Sequence, residues 1–229
     1  GQLRIASSLG LGRRFVAPAL SELAERYPRL DIRLDVHDRL VDLIAEGVDL
    51  EIRVGDDIPG QHIGRRLVSN RRVLCAAPAY LQRRGTPQQL SDLEQHDCIV
   101  YGLNDGLVGP WHFPAAQPGH TERRIMPARM AVGDAEGQVA AVLAGHGIAQ
   151  LPTWLIRRQL EDGSLVQVLA PLATDGLPIH LAWLKSRQAQ PKVATLLTHL
   201  RQCLSGDGFE PPSPSSCGNA SRSRANVSR

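Results

Sequence analysis

Apolar positions along this chain switch between two periods. Leu3-Arg4-Ile5-Ala6-Ser7 reads as a buried strand, and Ser7-Ser8-Leu9-Gly10-Leu11-Gly12 as the loop that follows it. Phe15, Ala19, Leu23 and Tyr27 then recur at every fourth position with Val16, Leu20 and Ala24 beside them, which predicts a helix over about 13–27. Pro18 fits only near the first turn of that helix, and Pro28 ends it. From Asp31 to Val36 the period falls to two, with Ile32, Leu34 and Val36 inward along a strand. The segment DRLVDLIAEGVDLEIRVG, from Asp38 to Gly55, predicts a capped amphipathic helix feeding a strand. Asp38 supplies the N-cap acceptor, and Leu40, Val41, Leu43 and Ile44 the apolar side. Gly47 supplies a left-handed C-cap before the strand Leu50–Val54. Strands alternating with helices argue for a parallel-type α/β lobe.

The run LVSNRRVLCAA, Leu67 to Ala77, is too long and too polar inside for one ordinary strand. It reads as a connection passing to a second lobe. Pro78 opens a short helix, Ser91-Asp92-Leu93 a helical turn, and Cys98–Tyr101 a strand ended by the turn at 102–106. Residues 107–123 read as irregular or as an edge hairpin, and 124–132 as strand-like around Pro127. Asp134 caps a predicted helix over 135–144 that stops at Gly145. A strand over 147–152 ended by Pro152, a helix over 153–161 and a strand over 165–169 complete this lobe. The strand 178–184 returns to the first lobe and the helix 192–204 closes it. No internal repeat is visible. Seven of the 25 residues from Ser205 onward are Ser and apolar residues nearly vanish, so 205–229 is expected to be a disordered tail.

Composition narrows the function little. With 229 residues, 42% hydrophobic, the chain can build one large domain or two lobes. Aromatic content of 4% leaves the core to Leu, Val, Ile and Ala. A net charge of +3 is too small to argue nucleic-acid binding by this chain, and Arg13-Arg14, Arg65-Arg66 and Arg71-Arg72 are scattered as solvated faces would be. Cys75, Cys98, Cys203 and Cys217 show no C-x-x-C spacing and read as free thiols of a reducing cytosol. The triplets at Asn219 and Asn226 therefore carry no meaning as glycosylation sites. No apolar run reaches the roughly 18 residues a membrane span needs, and the start reads as a strand, not as a signal peptide. The eight histidines lack metal spacing, no G-x-S-x-G elbow exists, and Phe15 stands where G-x-G-x-x-G requires its third glycine. No cofactor, metal or catalytic constellation is expected.

Four segments, LRIASSLGLGRRFVAP, DRLVDLIAEGVDLEIRVG, RRVLCAAPAYLQRRGTPQQLSDLEQHDCIVY and AVLAGHGIAQLP, resemble in order the effector-binding domains of LysR-type bacterial transcription regulators. The resemblance covers roughly residues 2–204. It implies a two-lobed type-2 periplasmic-binding-protein fold, each lobe a mixed, mostly parallel sheet flanked by helices, joined by two crossover strands. Mapped here, lobe one is 1–74 plus 178–204 and lobe two 75–177. It implies a cytoplasmic sensor of a small effector that performs no chemistry. Pairing of the helix 13–27 and strand 31–36 with a second copy would form a dimer, with a tetramer open for the full-length regulator. DNA would be bound only through a winged helix-turn-helix outside this chain. The alternative is a solute-binding protein of a transport system with the same fold.

In open α/β sheets ligands sit beyond the carboxyl ends of strands, against helix starts. The expected interlobe site is therefore Ser7, Ser8, Leu9 and Gly10 after the first strand, with Arg53 and Val54, Tyr101 and Gly102, Gly133 and Asp134, and Pro152. Each has a structural reading too. The serines could be turn or cap residues, Arg53 could pair with Glu51, Asp56 or Asp57, and Tyr101 could pack in the core. Asp134 could simply cap its helix, which would argue against an anion lying on that helix start, and Pro152 could simply end its strand.

Overall fold

The computed structural model describes residues 1–37, 41–55, 60–103, 106–117 and 120–204. Asp38 and Leu40, the Asp56 and Asp57 partners expected for Arg53, part of the 102–106 turn, and the tail with Cys217, Asn219 and Asn226 lie outside the described residues. The chain forms two compact units, Gly1–Val68 with Pro178–Arg229, and Ser69–Leu177.

Unit one is a five-stranded sheet in the order β2-β1-β3-β12-β4. Its strands are β1 (Gln2–Ser7), β2 (Asp31–Val36), β3 (Leu50–Val54), β4 (His62–Val68) and β12 (Ile179–Leu184). β1 runs parallel to β2 and β3, and β12 lies antiparallel between β3 and β4. Register sorts the side chains by face. Ser7 aligns with Ile52 and Leu181, whereas Ala6 aligns with Glu51 and His180 with Arg53 on the opposite face. Ala6, Val41, Leu43, Val48 and Leu184 form one buried cluster.

The first helix begins earlier than its periodicity suggests. α1 (Leu9–Leu11) starts directly after Ser8 and continues through a π-helical stretch, Gly12–Val16, into α2 (Ala17–Arg26). Pro18 has no N–H for the Arg14 carbonyl, and the wider π turn ends just before it. Gly12 is required by closeness: a Cβ there would collide with Cγ1 of Val36. The predicted 38–47 helix is, among described residues, a single turn at Leu43–Gly47. Asp42 starts it, its Oδ1 accepting the N–H of Ile44 at 2.9 Å and of Ala45 at 3.1 Å. Gly47 ends it at φ +65° as its type predicts. Leu43 is fully buried but Ile44 is 55% exposed, so the apolar pattern overstated the helix face.

Unit two has the strands β5 (Arg72–Ala76), β6 (Cys98–Tyr101), β9 (Ala128–Val132), β10 (Ile148–Pro152) and β11 (Val166–Val168), in the order β11-β5-β10-β6-β9. Read from its far edge, this is the order of unit one. In that direction two parallel pairings join β9, β6 and β10, and β5 is inserted antiparallel between β10 and β11, as β12 is between β3 and β4. The repeat invisible in the sequence is a repeat of topology. The run 67–77 divides, β4 ending at Val68 in unit one and β5 opening at Arg72 in unit two. The helices here are α3 (Pro78–Arg84), α4 (Ala135–Leu143) and α5 (Thr153–Glu161), and α6 (Pro191–Leu204) belongs to unit one. Residues 107–123 contain a hairpin of β7 (Trp111–Pro114) and β8 (Thr121–Arg124). β7 packs Trp111 and Phe113 into the core with Leu74, Tyr80, Val100 and Ile148.

Candidate functional site

In unit one the edge at the carboxyl ends of the parallel strands carries Ser7, Ser8 and Val54. Ser8 adopts an extended N-cap conformation, φ −62° and ψ 154°, and its side chain makes no capping hydrogen bond. Its carbonyl accepts the Gly12 N–H at 2.8 Å. Ser7 is 2% exposed and its Oγ has no hydrogen-bond partner. A buried hydroxyl without a partner is rare, because desolvation is then uncompensated. Leu9 and Gly10, half-buried, form the first helical residues behind it.

Arg53 stands on the other face. Its Nη2 lies 2.9 Å from Glu51 Oε2, and both side chains are buried. Burial pushes the Glu51 carboxyl up, and the Arg53 charge draws it back only in part. Beside this pair, His180 Nδ1 donates to the Gly55 carbonyl at 2.9 Å. His62 is held below its ordinary value by burial and then by Arg53. Ser7 and Arg53, both expected at the site, therefore leave the sheet in opposite directions.

In unit two the corresponding edge carries Tyr101, Gly102, Gly133, Asp134 and Pro152. Gly102 N–H donates to the Val132 carbonyl at 2.8 Å, and Tyr101 is half-buried at the end of β6. Asp134 caps α4: Oδ1 accepts the Gly137 N–H at 2.7 Å. The Asp134 charge thus occupies that helix start. Pro152 is buried and aligns with Arg72 across β10 and β5.

Arg72 is the residue the sequence reading missed. Its position at the start of the antiparallel β5 places it on the edge formed by the carboxyl ends of β6, β9 and β10. Its Nε is buried with no partner. Burial depresses its guanidinium, with Tyr101 acting in the opposite direction. On β7, His112 is 8% exposed and its Nδ1 also lacks a partner. Gln150 grips the backbone of that residue, Oε1 accepting the His112 N–H at 2.9 Å and Nε2 donating to the His112 carbonyl at 2.7 Å. Burial, then the charges of Arg72 and Arg123, hold the His112 imidazole below its ordinary value, so it is neutral at pH 7. The signal available in advance was alternation. In a strand, one of two adjacent arginines must face inward, and here Arg71 is exposed and Arg72 is not.

Other features have structural explanations. Burial pushes the Cys75 thiol up to about 12 and the Cys98 thiol to about 11, so both are unreactive. Glu22, His199 and Cys203 approach one another closely enough to suggest a metal. However, His199 Nε2 donates to the Ala19 carbonyl at 2.6 Å, which commits that nitrogen.

The repeated strand order, with one antiparallel strand inserted in each sheet, defines a two-lobed α/β binding protein of the type-2 periplasmic-binding-protein kind. Residues 1–205 match the LysR substrate binding domain family, and the chain belongs to it. Over 169 residues, 74% of this chain and 54% of the relative, it is 44% identical to the HTH-type transcriptional regulator DmlR of Escherichia coli (strain K12). It is 38% identical over 175 residues, 76% of this chain and 55% of the relative, to the HTH-type transcriptional activator TtdR of the same strain. The chain thus spans about half the length of these curated relatives. The regulatory domain of CrgA, a LysR-type transcriptional regulator from Neisseria meningitidis, matches with a TM-score of 0.75 at 24% identity, over 88% of this chain and 97% of that one. The regulatory domain of AphB in Vibrio vulnificus matches at 0.73 and 23%, over 87% and 98%. The family and fold read from the sequence hold.

Proposed function

We propose that this chain is the effector-sensing and dimerisation domain of a LysR-type bacterial transcription regulator. It binds a small metabolite at the strand-end edges described above and makes or breaks no bond. The observation that carries this reading is the Ser7 hydroxyl, buried without a partner at the end of β1 beside an uncapped helix start. A bound polar ligand supplies the missing hydrogen bond. Ligand binding then shifts the domain between conformations to the extent that it binds them unequally. The proposal needs no metal or cofactor, and places the protein in the cytoplasm with DNA contacted by a reading domain outside this chain. Among described residues no helix is long and apolar enough to cross a membrane. The family match and the regulator names of the relatives favour this reading over a transport protein of the same fold.

A thermal-shift screen of small metabolites tests the binding. A hit should raise the melting temperature, and Ser7→Ala should weaken it about tenfold, the worth of one hydrogen bond of about 1.4 kcal/mol. A screen without hits, or a hit indifferent to Ser7→Ala, contradicts the proposed site. Dimerisation would use the edge strand β2 and the helix before it, where Tyr27 is 42% and Val36 36% exposed. Tyr27→Glu should shift sedimentation from dimer to monomer; an unchanged sedimentation coefficient removes this surface from the account.

A further inference from the structure

We propose that unit two carries a carboxylate-binding subsite formed by Arg72, His112 and Tyr101, and that the effector is therefore a small carboxylate. The inference rests on the effector-sensing reading and deepens it. Arg72 brings a guanidinium to the sheet edge where open α/β sheets receive ligands. Its Nε is sealed from water and unpartnered, and no described carboxylate pairs with it. Arg72 is half-buried, and an Nε–H sealed in this way calls for an acceptor, which the side-chain charge favours as an anion. The planar fork of a guanidinium matches the two oxygens of a carboxylate.

The surroundings suit the same ligand. His112 Nδ1 is a second buried polar atom without a partner, and Gln150 fixes the backbone that carries it. Gln150 is thus a positioning residue. Arg123 aligns with His112 across the β7–β8 hairpin and adds positive charge to the edge. Tyr101, at the end of β6, presents a phenol within electrostatic reach of Arg72. The one acidic residue of the expected site in this unit, Asp134, is committed to the α4 cap. The subsite is cationic, polar and confined to one unit, which excludes neutral apolar effectors as its preferred class.

Isothermal titration of the 229-residue chain reads the class directly. The probes are a panel of mono-, di- and tricarboxylates including benzoate, succinate and citrate, the neutral amides benzamide and succinamide, and inorganic phosphate. A carboxylate should bind, its amide at least tenfold more weakly. Arg72→Gln should lose at least tenfold for the acid with a melting temperature unchanged or raised, and Arg72→Lys, which keeps the charge without the fork, should fall between. The inference is overturned if acid and amide bind alike, if phosphate binds more tightly than every carboxylate, if Arg72→Gln binds as the wild type does, or if no carboxylate binds. An Arg72→Gln chain that fails to fold also overturns it, since removing a half-buried guanidinium with no internal ion pair should not unfold the protein. Each of these leaves effector sensing intact so long as some metabolite in the thermal-shift screen still binds; an empty screen removes both.

Discussion

The two units share a strand order yet differ in what stands beside a sheet arginine: Arg53 has a carboxylate next to it and Arg72 has none among the described residues. Unit one pairs two of its buried acids with cations. Arg53 has Glu51 at 2.9 Å, and Asp49, 3% exposed, accepts from Arg187 Nη1 and Lys192 Nζ, each at 2.8 Å. In unit two Arg72 Nε and His112 Nδ1 are buried without internal partners, at the edge proposed to receive the ligand. In each unit, charges paired with one another stand apart from polar atoms that lack an internal partner: Ser7 Oγ in unit one, Arg72 Nε and His112 Nδ1 in unit two. Preorganised but unsatisfied groups are what a ligand must find in order to be gripped.

Substitution should separate the two arginines most sharply. Glu51→Gln leaves Arg53 buried and uncompensated, and calorimetric unfolding should show a loss of roughly 3–5 kcal/mol. Arg72→Gln removes a charge that has no internal partner, and the same measurement on the ligand-free protein should show no loss. Equal destabilisation by both would erase the contrast.

The helix starts differ by a smaller amount. Asp134→Ala removes a cap whose Oδ1 holds the Gly137 N–H, and should lower stability by about 1 kcal/mol. Ser8→Ala removes no capping bond and should change the ligand-free protein by no more than a few tenths of a kcal/mol. A larger loss at Ser8 than at Asp134 would reverse the assignment of which start is open.

Acid should weaken the fold through its histidines. His62, His96 and His112 are all held below the ordinary value of 6.5, in each case chiefly by burial. Between those lowered values and pH 6.5 the unfolded chain binds more protons than the folded one, so stability is present above pH 6.5 and lost as pH falls below it. Glu51, raised from 4.5, acts in the other direction: its contribution is greatest below 4.5 and fades as pH rises through its folded value. Melting temperatures measured from pH 7 to 5.5 should fall. In Arg72→Gln, which lifts one of the charges opposing the His112 proton, the fall should be shallower; a steeper fall would count against Arg72 acting on His112.

Much of this molecule was legible as pattern. β1, β2, β3, the α4 cap at Asp134 and the Gly47 turn follow from period, cap chemistry and backbone freedom, which are local. The turn before Gly47 was overread as a helix because Leu43 and Ile44 look alike in sequence, while only Leu43 is covered. The candidate site was legible as placement only. Ser7, Ser8, Tyr101 and Pro152 stand at strand ends, where the general rule for α/β sheets places ligands. Arg72 escaped because it was paired in reading with exposed Arg71 and treated as part of a connection. Its character depends on β10 beside it and β7 near it, 38 or more residues further along. The clamp of Gln150 on His112, which spans 38 residues, could not be seen from either end alone.

The most direct test of the account follows the two arginine side chains together. The Nε–H signals of Arg53 and Arg72 can be tracked by NMR while the tightest-binding carboxylate of the titration panel is added. The Arg72 signal should move saturably with the ligand and stay still with the matching amide, while the Arg53 signal holds its place beside Glu51. An Arg72 signal indifferent to every carboxylate, or an Arg53 signal that moves in its stead, would contradict the assignment of the ligand to Arg72.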